Sequence, residues 1–216
     1  MTRHSLDFHP ALRVLHWLIA LAVLAMLFIG VGMVSTAGPL YPALLALHRP
    51  IGIVILVLVL IRLPLRLATG APALPHNLAP LQKRIAAGSH ILLYAAMIGM
   101  PLIGWAMLSA GSYPVLVVNG FTLPPILPHD LALYALLREA HTVVALLFFA
   151  LILGHLAAAL AHGLVRRDGV LRSMTLGHAT AQPIEKTAAS PASYDDAVDP
   201  VTVSVDKRTR VASDDA

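Results

Sequence analysis

The sequence predicts an all-α integral membrane protein, a four-helix bundle followed by a disordered polar tail. Of its 216 residues 58% are hydrophobic and only 12% charged, too apolar for a soluble domain of this size. Four apolar runs, near 12–34, 43–66, 86–110 and 138–164, are each long enough to cross about 30 Å of hydrocarbon. Helix breakers separate them: STAGPLYP, then TGAPALPHNLAP, then SYPVLVVNGFTLPPILPHD.

The first run follows Arg3 and Arg13 and so resembles a signal peptide. Its apolar part is too long for a signal h-region, and cleavage would discard the His16-Trp17 pair, so it is expected to remain as a span. Pro101 in GMPLIGW is expected to bend the third span. Residues 1–174 form the membrane domain. Residues 175–216 are rich in Ser, Thr, Pro and Asp and lack the apolar surface to offset chain entropy, so they read as disordered. VTVSV (201–205) alternates like a strand but has no visible partner. Cysteine is absent, which excludes disulfides, thiolate chemistry, iron–sulfur clusters and covalent c-type haem.

Charge sets the expected orientation. Under four spans, Arg3, Arg13, Arg62, Arg66, Lys83, Arg84, Arg166, Arg167 and Arg172 fall on one side, and Arg49 and Arg138 on the other. The positive-inside rule then puts both termini in the cytoplasm. The basic residues flank membrane segments and form no run that would suit nucleic acid.

The chemistry lies in histidines within the spans. An imidazole in hydrocarbon is costly unless compensated, so it marks function. His141 and His155 lie fourteen residues apart on the fourth span, nearly four helical turns, so both point to one side about 21 Å apart. His16 lies near the start of the first span and His48 near the start of the second. Alternating span direction puts His48 level with His141 toward the outside, and His16 level with His155 toward the cytoplasm. No single ion could bind both His141 and His155, so the pattern needs two centres. Haem fits because two imidazoles saturate its axial positions and its macrocycle is apolar. The expected metal ligands are therefore His16, His48, His141 and His155, holding two b-type haems. Gly52, Gly154 and Ala157–Ala159 offer small surfaces for a flat ring. Arg49 and Arg138 are candidates for the outer propionates, and Arg13 or Arg84 for the inner ones. A histidine-lined metal or proton pathway would normally use carboxylates, and the spans are almost free of them.

His90 and His162 sit at the cytoplasmic ends of the third and fourth spans. Each reads either as an interfacial structural residue or as a quinone-site residue, where an imidazole can donate to a carbonyl and relay its proton. His4, His9, His76, His129 and His178 fall in termini or loops and are expected to be solvated. Trp17, Tyr94, Trp105 and Tyr113 fit interfacial anchoring or packing. Arg62 and Arg66 are expected to snorkel to the headgroups.

The strings LHW, HRPIG, GSHILLY…MPLIGW and REAHTVVALLFFALILGHLAAALAHGL resemble the bacterial cytochrome b561 family over about residues 8–174. The fourth span is the most specific part: His, fourteen residues, His, seven residues, His. The resemblance implies an inner-membrane four-helix bundle with two b haems that exchanges electrons with quinone, such as ubiquinone. It carries the haem ligands onto His16, His48, His141 and His155, and matches additional family histidines at His90 and His162. Some members of that family are superoxide:quinone oxidoreductases. An anion arriving from the periplasm would meet Arg49 and Arg138, which could steer it and so act in catalysis. Two alternatives stay open: a membrane-anchor cytochrome b subunit of a periplasmic hydrogenase or formate dehydrogenase, and a non-redox transporter.

Overall fold

The computed structural model describes residues 8–36, 38–70, 79–117, 120–168 and 170–175. Four long helices carry the chain: α1 (Pro10–Ser35), α2 (Leu40–Thr69), α3 (Pro80–Ala110) and α4 (Leu131–Leu160). They hold 26 to 31 residues each, or about 39–47 Å at 1.5 Å per residue. That exceeds the about 30 Å of hydrocarbon, so their ends reach the headgroup layer. Large side chains such as Phe28, Val34, Leu67 and Val165 point outward, as a lipid-facing surface requires. A short helix α5 (Val170–Met174) closes the described part of the membrane domain; the expected tail and VTVSV lie outside the described residues, apart from Thr175.

The helices begin earlier than their apolar runs do. Pro80 opens α3 with its fixed φ, and the Gln82 side chain accepts the Ala79 N–H at 3.4 Å. The polar stretch QKR is a good helix former that simply lies outside the apolar run. Asp130 caps α4, accepting the Leu133 N–H at 3.0 Å, so LALYALL is helical ahead of Arg138. Pro50, Pro64 and Pro101 lie inside continuous helices. Gly70, at φ 74°, ends α2 with its N–H on the Arg66 carbonyl.

The longest linker is more than a breaker. β1 (Val115–Leu116) and β2 (Thr122–Leu123) pair antiparallel, with Val115 opposite Leu123. Trp105 Nε1 donates to the Pro124 carbonyl at 2.9 Å, and His129 Nδ1 bonds the Ala110 carbonyl at 3.0 Å. The hairpin is thereby pinned to the end of α3. At the opposite end α4 runs into a π-helical turn, Ala161–Arg166. Arg13 donates to the Thr175 carbonyl at 2.5 Å and Trp17 Nε1 to the Met174 carbonyl at 3.0 Å, so α5 is tied to the start of α1.

Packing is uneven. α1 lies against α2, α3 lies against α4, and α2 touches α3, whereas α4 approaches α1 and α2 far less closely. No residue of α4 is fully buried. The apolar core, Ile19, Val23, Ile55 and Val59 with Tyr94, Met97, Phe148 and Ile152 around it, fills only the middle of the bundle. The wider spacing of α4 from α1 and α2 leaves a seam along α4.

Gly111 ends α3 where a Cβ would lie 2.7 Å from Tyr113 and 2.8 Å from Tyr134. Gly111→Ala is expected to cost about 1–3 kcal/mol through overpacking of these rings. Gly30→Ala, with nothing within 4 Å, should be neutral or stabilising by up to about 1 kcal/mol. Thermal unfolding of the detergent-solubilised variants checks the contrast, and equal effects would refute it.

Candidate functional site

Four histidines face one another in pairs across this seam. His16 on α1 and His155 on α4 have ring centres 6.4 Å apart with planes at 74°. His48 on α2 and His141 on α4 have ring centres 6.1 Å apart with planes at 62°. These are the two pairs that span direction and depth predict. All four rings are half-buried, and the core plug lies between the two levels.

The separations match a metal held between two rings. With metal–imidazole bonds of about 2 Å and about 1 Å from ring nitrogen to ring centre, axial imidazoles lie roughly 6 Å apart. Non-parallel planes are compatible with this, because each ring can rotate about the shared axis. His48 Nδ1 and His141 Nδ1 are buried without a hydrogen-bond partner, an expensive state for rings that serve only packing. Among the described residues no three of His, Asp or Glu converge as a bare-ion site requires. A pair of imidazoles in an apolar seam without carboxylates could hold a haem between them.

The small residue that matters at the His48–His141 level is Gly104 on α3. A Cβ there would meet His141 Cε1 at 3.4 Å and Nδ1 at 3.7 Å, so glycine lets the ring lie against α3. Gly52, by contrast, faces the Met26 methyl at 3.8 Å, and Gly154 has nothing within 4 Å.

The His16–His155 level holds more than its pair. The His90 ring lies 5.6 Å from that of His155, and its Nδ1 bonds the Ala86 carbonyl at 2.7 Å. That bond places the proton on Nδ1 and leaves Nε2 as the acceptor. Arg62 is only 7% exposed, so it does not snorkel. It donates to the Tyr94 hydroxyl and lies 5.5 Å from the Tyr94 ring centre. Of the two roles the sequence suggested for Tyr94, interfacial anchoring or packing, the structure shows packing: it lies against the core and partners a buried cation. Arg66 behaves differently and covers the Phe8 ring at 4.9 Å.

Arg49, beside His48, donates to the Pro114 carbonyl at 3.4 Å. Arg138, one turn before His141 on α4, is exposed at the same end. A cavity of about 470 Å³ opens there under the hairpin, lined by Ser109, Tyr113, Pro114, Thr122 and His129 among others. Arg13, proposed for an inner propionate, spends a guanidinium nitrogen on the Thr175 carbonyl. Arg84 is exposed on α3. Of the remaining histidines, His9 caps α1 and His129 braces the hairpin, while His4, His76 and His178 lie outside the described residues.

His162 sits in the π-helical turn beyond His155. The turn, with Arg167 in the left-handed region at φ 50°, folds Asp168 back so that its Oδ2 meets His162 Nδ1 at 2.5 Å. π-Helical turns often mark functional positions. Burial pushes the Asp168 carboxyl upward, but its bonds with the His162 ring and the Val170 N–H outweigh this and hold it below its ordinary value of 3.8. Gly104, Arg62 and Asp168 are the site residues that the sequence reading missed. Arg62 carried a signal: it follows His48 by fourteen residues, the His141–His155 spacing.

Residues 7–177 match the family model described as prokaryotic cytochrome b561. The chain is 30% identical over 129 residues to cytochrome b561 homolog 1 of Escherichia coli (strain K12), covering 59% of this chain and 72% of that protein. It is 26% identical over 161 residues to cytochrome b561 homolog 2 of the same organism, covering 74% and 86% respectively.

A carboxylate held below its ordinary value adds stability that is present above 3.8 and is lost as pH falls through its lower folded value. Acid should therefore loosen the α4–α5 junction below about pH 4. Asp168→Asn should be weakened at neutral pH and show no further loss of this kind on acidification. Thermal melts of both proteins between pH 3 and 7 test this; parallel pH profiles would contradict it.

Proposed function

Because the chain belongs to the prokaryotic cytochrome b561 family, whose members are haem b membrane electron-transfer proteins, we propose that it holds two haems and carries electrons from a periplasmic donor to a membrane quinone. The observation that carries this reading is the double pairing of imidazoles across one seam, at 6.1 and 6.4 Å. His48 and His141 hold the outer haem, and His16 and His155 the inner one. The distribution of Lys and Arg supports an orientation with both helical termini in the cytoplasm.

Bound haem supplies reversible one-electron chemistry, with a potential set by its axial ligands and its burial. The chain supplies the rest. The aliphatic core between the two levels excludes water. At the periplasmic end Arg49 and Arg138 form a basic entrance beside the hairpin cavity, which suits a small anionic donor such as superoxide. At the cytoplasmic end His162, braced by Asp168, presents its other nitrogen to a quinone, with His90 as a second imidazole near the inner level. Two superoxide ions give up one electron each and leave as dioxygen; one quinone takes both electrons and two protons to become quinol. His162 can pass such a proton, because the carboxylate of Asp168 stabilises the imidazolium between uptake and delivery.

The pairing is tested by redox titration of four variants. His48→Ala and His141→Ala should disturb one centre, and His16→Ala and His155→Ala the other. A shared effect of His48→Ala and His155→Ala would overturn the assignment.

His162→Ala should keep both haems and slow electron exchange with a soluble ubiquinone analogue about 10²-fold or more, as expected for loss of a proton-transferring group. His90→Ala should act in the same direction. Stopped-flow reoxidation measures both, and normal kinetics in the two variants would move the quinone elsewhere.

Oxidised protein should be reduced by a superoxide-generating system at a rate that falls with ionic strength, since screening shortens the reach of Arg49 and Arg138 to about 8 Å at physiological salt. Absence of any superoxide-driven reduction would exclude this donor.

A further inference from the structure

Arg62 is a permanent cation inside a membrane span, an expensive placement that calls for a purpose. Its position is set by register. Helices α2 and α4 run in the same direction, and fourteen residues separate His48 from Arg62 just as they separate His141 from His155. Helix α4 therefore offers imidazole at both levels, whereas α2 offers imidazole at the outer level and guanidinium at the inner one. This register brings Arg62 near His16, His90 and His155, so that its charge lies beside the inner level. Tyr94 holds the guanidinium in place through its hydroxyl and its ring. The Nε–H remains buried without a hydrogen-bond partner, an unmet donor available to an anionic group.

We propose that Arg62, positioned by Tyr94, raises the reduction potential of the centre held by His16 and His155 and so biases the electron toward it. This rests on the two-centre reading above. Moving one electron from the outer to the inner centre oxidises the first, reduces the second and adds one negative charge beside Arg62. A fixed cation in a weakly polarisable surrounding favours that state. The outer level has Arg49, whose Nε–H is likewise unpartnered, but that side chain is only half-buried and donates to the Pro114 carbonyl at the bundle end, so its charge is screened more than that of Arg62, which is 7% exposed. The asymmetry gives the electron a direction without any change in the iron ligands. Whether the unmet Nε–H meets a propionate or only the ring edge, removing the cation leaves the inner centre more negative and its potential lower.

The test is potentiometric titration of the purified haem-loaded protein, followed optically. Arg62→Met should lower the inner potential alone, by roughly tenfold in the equilibrium between the centres, which is about 59 mV for one electron. Arg62→Lys should recover most of it. The difference between wild type and Arg62→Met should be the same from pH 6 to pH 9, because guanidinium stays charged throughout; a displaced histidine would make it pH-dependent and would overturn the proposal. Tyr94→Phe keeps the charge but frees the guanidinium, and should produce a smaller fall at the same centre. This variant decides the matter if Arg62→Met fails to assemble, with an unchanged inner potential counting against the proposal. Two centres with unmoved potentials in the Arg62→Met variant would also overturn it. A wild-type titration showing a single centre would instead remove the two-centre reading itself.

Discussion

An imidazole within a bilayer must find a partner, and the architecture of this protein follows from that constraint. Hydrocarbon offers no water to satisfy ring nitrogens, so isolated histidines along an apolar helix would be costly. Here four of them are brought together in two facing pairs, on helices whose other residues are chosen for lipid and for packing. For His48 and His141, whose Nδ1 atoms are buried without a partner, a group bound between the rings would offset that cost. The seam along α4 follows from the same need. Helices that packed as closely there as α1 on α2 would leave no room for a flat ligand.

The two levels have different surroundings, and this makes direction possible. At the His48–His141 level the neighbours are Gly104, the Arg49–Pro114 contact and a hairpin over the helix ends. At the His16–His155 level the neighbours are His90, Tyr94 and a buried Arg62. Between them lies an apolar plug shared by α1, α2, α3 and α4. Under the proposed function such a chain would conduct between its two ends and keep protons out of its middle, with proton handling assigned to the part-buried pair His162–Asp168.

Much of this was legible in the sequence because membranes simplify the physics. Hydropathy located the four helices, the fourteen-residue spacing on α4 called for two levels, and alternating span direction set which histidines share each level. Helix ends were less legible. QKR in the first turns of α3 is polar yet helical, and Asp130 was a capping signal that an apolar-run criterion passes over. Arg62 was misread because a long basic side chain near a helix end usually snorkels; its true setting depends on Tyr94, a residue on another helix. Gly104 and Asp168 were invisible for the same reason. One acts by what it lets α4 do, and the other reaches His162 only through a π-helical turn that no residue pattern announces.

The central claim is that each chain carries two bis-histidine haems. The most direct measurement is the optical difference spectrum of the purified protein, air-oxidised and then reduced with dithionite, with haem quantified per chain. The account predicts a low-spin b-type spectrum with two haems per chain. One haem, or none, in folded full-length protein would contradict it.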